Sequence, residues 1–171
     1  MVNDIEKSIH RGEYALGAFL DISGAFSNLN LSTANDSMIR QGFTDDIRLW
    51  YNHYLRNRTA TAELLGNSAT RVLTKGTPQG GVLSPIAWNI DFDDLLNLFN
   101  QGPVHIKGFA DDAALLVCGK DLFTLVHLMQ TALDKALRWG LSRGLSFSAA
   151  KTVIVLFTHK RNPTRGLPNL D

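Results

Sequence analysis

The longest nearly continuous apolar stretch of the first third of the chain is Ala15 to Ile22, ALGAFLDI, interrupted by an acid near its end. A short apolar run without alternation suits a strand buried on both faces. Val104 to Cys118, VHIKGFADDAALLVC, has two short apolar runs around Phe109-Ala110-Asp111-Asp112. Paired Asp favours a turn over a strand interior, so this pattern predicts a hairpin. Thr59 to Leu65 and Thr70 to Thr74 flank Gly66-Asn67-Ser68 and predict a second hairpin, and Val153 to Phe157 reads as a last strand.

The remaining segments carry helical spacing. Val2 to Arg11 is short and amphipathic, ended by Gly12, and Ser32 to Gln41 is closed by Gly42. Thr44 can cap a third helix, with Asp45 and Asp46 in its first turn. Its stripe of Ile47, Trp50, Tyr51, Tyr54 and Leu55 is expected in the core. Arg56 and Arg58 at its end are either solvated or set against phosphate. Ser84 as N-cap, Pro85 at the first position and Leu83 stapled to Trp88 mark the start of a fourth helix. Trp88, Phe92, Leu95, Leu96 and Phe99 form its stripe, Gly102-Pro103 stop it, and Asp91 and Asp94 fall off the stripe and read as solvated. Asp121 to Trp139 is a long fifth helix with Leu122, Leu125, Val126, Met129, Leu133, Ala136 and Leu137 inward and Gly140 at its end. The order of strand, helices, hairpin, helix, hairpin, helix and strand predicts an α+β fold, a mainly antiparallel sheet backed by helices.

Composition narrows this picture without redirecting it. With 171 residues, 44% hydrophobic and 19% charged, the chain is one globular domain or part of one. No apolar run approaches a membrane span and no signal-peptide pattern opens the chain, so no membrane partner is expected. Cys118 is the only cysteine, which excludes an intramolecular disulfide and points to an intracellular setting. His10, His53, His105, His127 and His159 lack the spacing of a zinc site. A net charge of +1 is low for gripping a nucleic-acid duplex.

Candidate chemistry sits in five places. Asp111 and Asp112 repel each other between hydrophobic strands; a divalent cation would compensate them, and a solvated turn is the plain alternative. Asp21, in an apolar strand, is either a satisfied capping acid or a metal ligand. Ser23-Gly24-Ala25 forms a small-residue turn whose amides could face phosphates, followed by Phe26, which read alone is a core residue. In Thr77-Pro78-Gln79-Gly80-Gly81 the paired glycines admit close backbone approach, and Gln79 can donate and accept at once. Lys151 either snorkels at a strand start or acts as an acid.

Phe19-Leu20-Asp21-Ile22-Ser23-Gly24-Ala25-Phe26, then Gly76 to Pro85 (GTPQGGVLSP), then FADD resemble, in order and spacing, the palm motifs of reverse transcriptases. The likeness is to those of non-LTR retrotransposons and, more distantly, group II introns, and runs from about Tyr14 to Phe157. It implies an RNA-directed DNA polymerase palm with part of the fingers over residues 1–158, and a frayed tail over 159–171. Two ions, Mg²⁺ or Mn²⁺, would be held by Asp21, the Ile22 backbone, Asp111 and Asp112, with Asp21 and Asp111 at matching heights on neighbouring strands and Asp112 turned elsewhere. Ser23, Gly24, Ala25, Phe26, Gln79 and Gly80 would hold the dNTP, with the Phe26 ring under its sugar, and Lys151 would be the acid for the leaving pyrophosphate. The partners implied are an RNA template and a DNA primer. Many relatives carry an acid where this chain has Ser27. Missing fingers and thumb would account for the low charge and leave the fragment weakly active. A silent remnant is the alternative reading, and Phe26 argues against an RNA-dependent RNA polymerase.

Overall fold

β1 (Tyr14–Ser23) is the centre of the fold of the computed structural model, which describes residues 1–160. Around it, in chain order, come α1 (Val2–His10) before it, and then α2 (Ala25–Asn28), α3 (Leu31–Arg40), α4 (Asp45–Leu55), β2 (Thr59–Leu64), β3 (Asn67–Val72) and α5 (Ser84–Asn97). The chain continues through β4 (Val104–Phe109), β5 (Asp112–Gly119), α6 (Leu122–Arg143), β6 (Ser146–Phe147) and β7 (Val153–Phe157). The expected tail lies outside the described residues from position 161 onward. The described residues divide into two compact units, one of residues 1–23, 95–142 and 146–160, the other of residues 24–94 and 143–145.

The first unit is built on an antiparallel sheet. β1 pairs with β5 from Tyr14↔Gly119 to Asp21↔Asp112, and on its other edge with β7 from Ala15↔Phe157 to Phe19↔Val153. β6 adds Ile22↔Phe147 and Ser23↔Ser146, and β4 lies outside β5. Because side chains alternate between faces, Leu16, Ala18, Leu20 and Ile22 share one face with Ala113, Leu115 and Val117 across the ladder. All seven are buried. α6 backs that face: a Cβ on Gly119 would lie 3.3 Å from Leu125 Cδ2, so the glycine admits the helix. The opposite face is covered near Ala15 and Leu116 but opens at Phe19, which is 41% exposed. β1 is therefore buried on both faces over only its first half, a correction to the expectation of a wholly buried strand.

The second unit packs α3 and α4 through Ala34, Met38, Tyr51 and Leu55, all buried. Asn30 caps α3, its Oδ1 accepting from Ser32 N at 2.9 Å. β2 and β3 form a two-stranded ribbon closed by Leu65-Gly66, both with positive φ, and every strand residue of it is exposed.

Three expectations fail here for physical reasons. The stripe of α4 is only half buried: Tyr51 and Leu55 pack inward, whereas Ile47 and Trp50 (53%) are exposed. Trp50 recovers contact by stacking on Tyr54, centroids 5.8 Å apart and planes 7° from parallel. α6 runs through Gly140 to Arg143, because a single glycine costs a packed helix only about 1 kcal/mol; the left-handed Gly144 (φ 69°) follows it.

Asp91 and Asp94 are not solvated. Asp91 is fully buried, accepting from Arg143 Nε at 3.1 Å and Ser37 Oγ at 3.2 Å. Asp94 accepts from Ser37 Oγ at 2.6 Å and pairs with both Arg40 and Arg143. Burial pushes the Asp91 carboxyl above its ordinary range, with Arg143 opposing. Burial also acts to raise Asp94, but hydrogen bonds from Arg40 and Ser37 outweigh it and hold that carboxyl below its ordinary range.

Candidate active site

The FADD hairpin turns on two residues, Ala110-Asp111, between the last residue of β4 and the first of β5, which pair as Phe109↔Asp112. Ala110 is left-handed (φ 55°), a conformation that costs an L residue about 1–2 kcal/mol. The turn places Asp112, not Asp111, directly across the ladder from Asp21. Asp111 sits on the turn beside Ile22, whose N–H donates to the Asp111 carbonyl at 3.3 Å.

Register carries Asp21 and Asp112 onto the open face. Phe19, Asp21, Lys107, Phe109, Asp112, Ala114 and Lys151 line a cleft of about 360 Å³ there. Phe109 is 84% exposed, so among the described residues the cleft stays open at the hairpin end. Lys151 reaches the cleft from the turn before β7. Ser148 N–H donates to the Asp21 carbonyl at 2.9 Å, Lys151 N–H closes the turn on Ser148 O at 3.1 Å, and Lys151 Nζ meets Asp21 Oδ1 at 3.0 Å. Among the described residues no three His, Cys, Asp or Glu side chains group as a metal-holding cluster. Two carboxylates directly opposite each other still suit a small hard cation, which is typically bound by one or two carboxylates with substrate phosphates and water completing the shell.

The nucleotide-loop candidates lie in the second unit, apart from Ser23 at the end of β1. Gly24 is exposed and left-handed (φ 60°) and Ala25 is buried in the short α2. Phe26 is half-buried, its ring 6.4 Å from that of Trp88, so it is neither a sealed core residue nor a free one. The loop of Gly76 to Gly81 is stitched to α2 by Thr77 N–H on Phe26 O at 2.8 Å and Gly76 N–H on Leu29 O at 2.7 Å. A Cβ on Gly76 would sit 2.7 Å from Ser27 O, so only glycine permits this approach. Ser84 Oγ accepts from Thr77 Oγ1 at 2.8 Å and donates to Pro78 O, bracing the loop. Gln79 and Gly80 project exposed beyond that brace. Arg58 binds Leu55 O and Gly76 O, a structural task where a phosphate contact was one expectation.

Lys107 and Phe109 escaped the sequence reading, although strand alternation from Asp112 puts both on the open face. The approach of Lys151 to Asp21 had no local signal, since the two lie 130 residues apart.

An antiparallel sheet backed by helices, with paired acids at the hairpin end of its open face, defines a polymerase palm. Telomerase structures share this fold. That of Candida tropicalis, truncated from the C-terminal domain, aligns at TM-score 0.67 with 12% identity, covering 91% of this chain and 34% of that one. That of Candida albicans in complex with a telomeric RNA fragment aligns at 0.62, with 15% identity and 90% and 30% coverage. The chain belongs to the family Reverse transcriptase (RNA-dependent DNA polymerase), whose profile matches residues 2–166, and its relatives place it with the non-LTR retrotransposons. It is 32% identical over 154 residues to a 115 kDa protein of the type-1 retrotransposable element R1DM of Drosophila melanogaster, covering 89% of this chain and 15% of the relative. It is 26% identical over 173 residues to the RNA-directed DNA polymerase from the mobile element jockey of the same species, covering 98% and 19%. The chain thus spans less than a fifth of these relatives' length. The family uses divalent metal ions, and no helix among the described residues is long and apolar enough to cross a membrane.

Proposed function

We propose that this chain is the palm of an RNA-directed DNA polymerase, adding dNTPs to the 3′-hydroxyl of a DNA primer on an RNA template. The observation that carries this reading is the Asp21↔Asp112 register on the open sheet face, with Asp111 on the adjoining turn. Asp21, the Ile22 backbone, Asp111 and Asp112 would hold two Mg²⁺ or Mn²⁺ ions. When bound, such ions lower the pKa of the attacking hydroxyl and stabilise the leaving pyrophosphate. The residues themselves have plainer tasks. The carboxylates fix where cations can sit, Lys151 supplies the acid beside Asp21, and the Ser23-Gly24-Ala25 turn together with Gln79 and Gly80 offers donors to the nucleotide. Phe26 stands at its sugar.

The test is extension of oligo(dT) on poly(rA) by a full-length protein carrying this chain, with dTTP and Mg²⁺ or Mn²⁺. Metal-dependent incorporation is expected; a protein that extends no primer on any template overturns the reading.

Two further outcomes follow from the same residues. Millimolar Mn²⁺ raises the melting temperature of the chain, since an ion that binds only the folded state stabilises it by mass action. The double variant Asp21→Asn, Asp112→Asn loses that response; a retained response puts the ion elsewhere. For Phe26, exclusion of the 2′-hydroxyl by the ring predicts that Phe26→Ala lowers the dNTP-to-rNTP ratio of kcat/KM by about tenfold or more. An unchanged ratio removes Phe26 from the sugar.

A further inference from the structure

We infer that Lys151 is the resident counter-ion of Asp21, and that a divalent cation loads this face by exchanging with the Lys151 ammonium instead of entering beside a free carboxylate. The inference rests on the metal reading of Asp21 given above and assigns Lys151 a role in setting metal affinity, distinct from protonating a leaving group.

The geometry is built rather than incidental. The turn that carries Lys151 is tied to the backbone of Asp21 itself, through Ser148 N–H on the Asp21 carbonyl at 2.9 Å. Lys151 N–H and Thr152 N–H both return to Ser148 O, at 3.1 and 2.9 Å, and Thr152 Oγ1 reinforces them at 2.9 Å. The ammonium is therefore delivered to Asp21 Oδ1 at 3.0 Å from a braced base. The four-carbon stem above that base is free to swing, because Lys151 is exposed while Asp21 is mostly covered. Lys107, on the far side of the same cleft, is the other cation lining it. The acids are treated unequally: Asp21 is met by Lys151, whereas Asp112, opposite it, has no ion pair among the described residues.

An exposed lysine pair is weak and an ammonium is monovalent, so a divalent ion can displace it. It nevertheless competes for the same oxygen and repels a 2+ ion nearby. Metal affinity is then lower than the carboxylates alone would give, and binding must release the lysine.

The experiment measures Mn²⁺ binding to the chain by the electron paramagnetic resonance of the free ion, together with the reductive methylation rate of Lys151. Lys151→Met, which keeps the stem and removes the charge, is expected to tighten Mn²⁺ binding about three- to tenfold. Lys151→Arg, which keeps the charge, stays near the parent. In the parent protein, saturating Mn²⁺ is expected to speed methylation of Lys151 relative to Lys107. Equal or weaker Mn²⁺ binding in Lys151→Met, or a methylation ratio that ignores Mn²⁺, overturns the exchange while leaving Asp21 as a ligand. Asp21→Asn separates the two levels: Mn²⁺ affinity untouched by that change overturns the metal reading of Asp21 and the exchange with it.

Discussion

Replacing Arg143 with methionine lowers the unfolding free energy by about 3–5 kcal/mol at neutral pH, because it strips a fully buried carboxylate of its charged partner. Asp91 then loses its charged partner, whereas Asp94 falls back on Arg40 and the Ser37 hydroxyl. The pH dependence follows from the directions of the two acids. The carboxyl of Asp91 is already raised by burial, and losing Arg143 raises it further. A raised acid contributes stability that is present below its unfolded value, near pH 4, and lost as pH rises through its folded value. The deficit of Arg143→Met therefore shrinks on acidification toward that range. Asp94 behaves oppositely: its depressed carboxyl contributes stability above about pH 4 that is lost as pH falls through the folded value. The decisive comparison is the double variant Arg143→Met, Asp91→Leu, followed by urea denaturation. Removing both charges together recovers most of the loss, since an apolar pair can replace a buried ion pair at little cost. If the double variant is as unstable as the single one, packing by the Arg143 stem, not charge, holds this place together.

In a full-length protein that carries this chain, Asp21→Asn lowers kcat/KM for dNTP addition by about a thousandfold or more, a loss that the preorganised charge of a reacting site can account for. The fold should survive, because Asp21 lies on the open face and its backbone pairings do not involve the carboxylate. Asp112→Asn and Asp111→Asn each cost more than about tenfold on the same grounds. The measurement is extended primer on poly(rA)/oligo(dT), with far-ultraviolet circular dichroism confirming the fold. An Asp21→Asn protein retaining a tenth of the parent rate would separate catalysis from this carboxylate.

Much of this fold was legible because its decisive signals are local. ALGAFLDI, the FADD hairpin and Val153 to Phe157 announce strands by content alone, and each lies within two residues of its expected bounds. The match of the motifs to a family likewise needed only order and spacing. Misreadings arose where a partner is distant or a turn has two solutions. The hairpin around Phe109-Ala110-Asp111-Asp112 is plain in sequence, but the expectation that Asp111 matches Asp21 is off by one residue of register, and that shift puts Asp112 across from Asp21. Asp91 and Asp94 lie off an apolar stripe, where acids are ordinarily solvated, and no periodicity reports that Arg143 returns to meet them. Trp50 failed in the other direction: an apolar stripe is wider than the surface α3 presents to cover it, so half of the stripe stays outside. Ion pairs such as Lys151 with Asp21 are written only in three dimensions.

The central position of β1 has a consequence for how the chain is made. β1 is synthesised before the other strands described above, yet both of its edges are closed by strands from the second half of the chain, β5 and then β7. At ribosomal rates of about 5–20 residues per second, β1 waits on the order of ten seconds for its first partner. During that interval Leu16, Leu20 and Ile22 have no ladder to join, and the intervening residues, which form most of the other unit, can condense first. Such a topology closes its longest loops last, which slows folding and leaves an adhesive edge exposed in the nascent chain. In a chain ordered this way, helices that form early protect β1 from pairing with another molecule's strand.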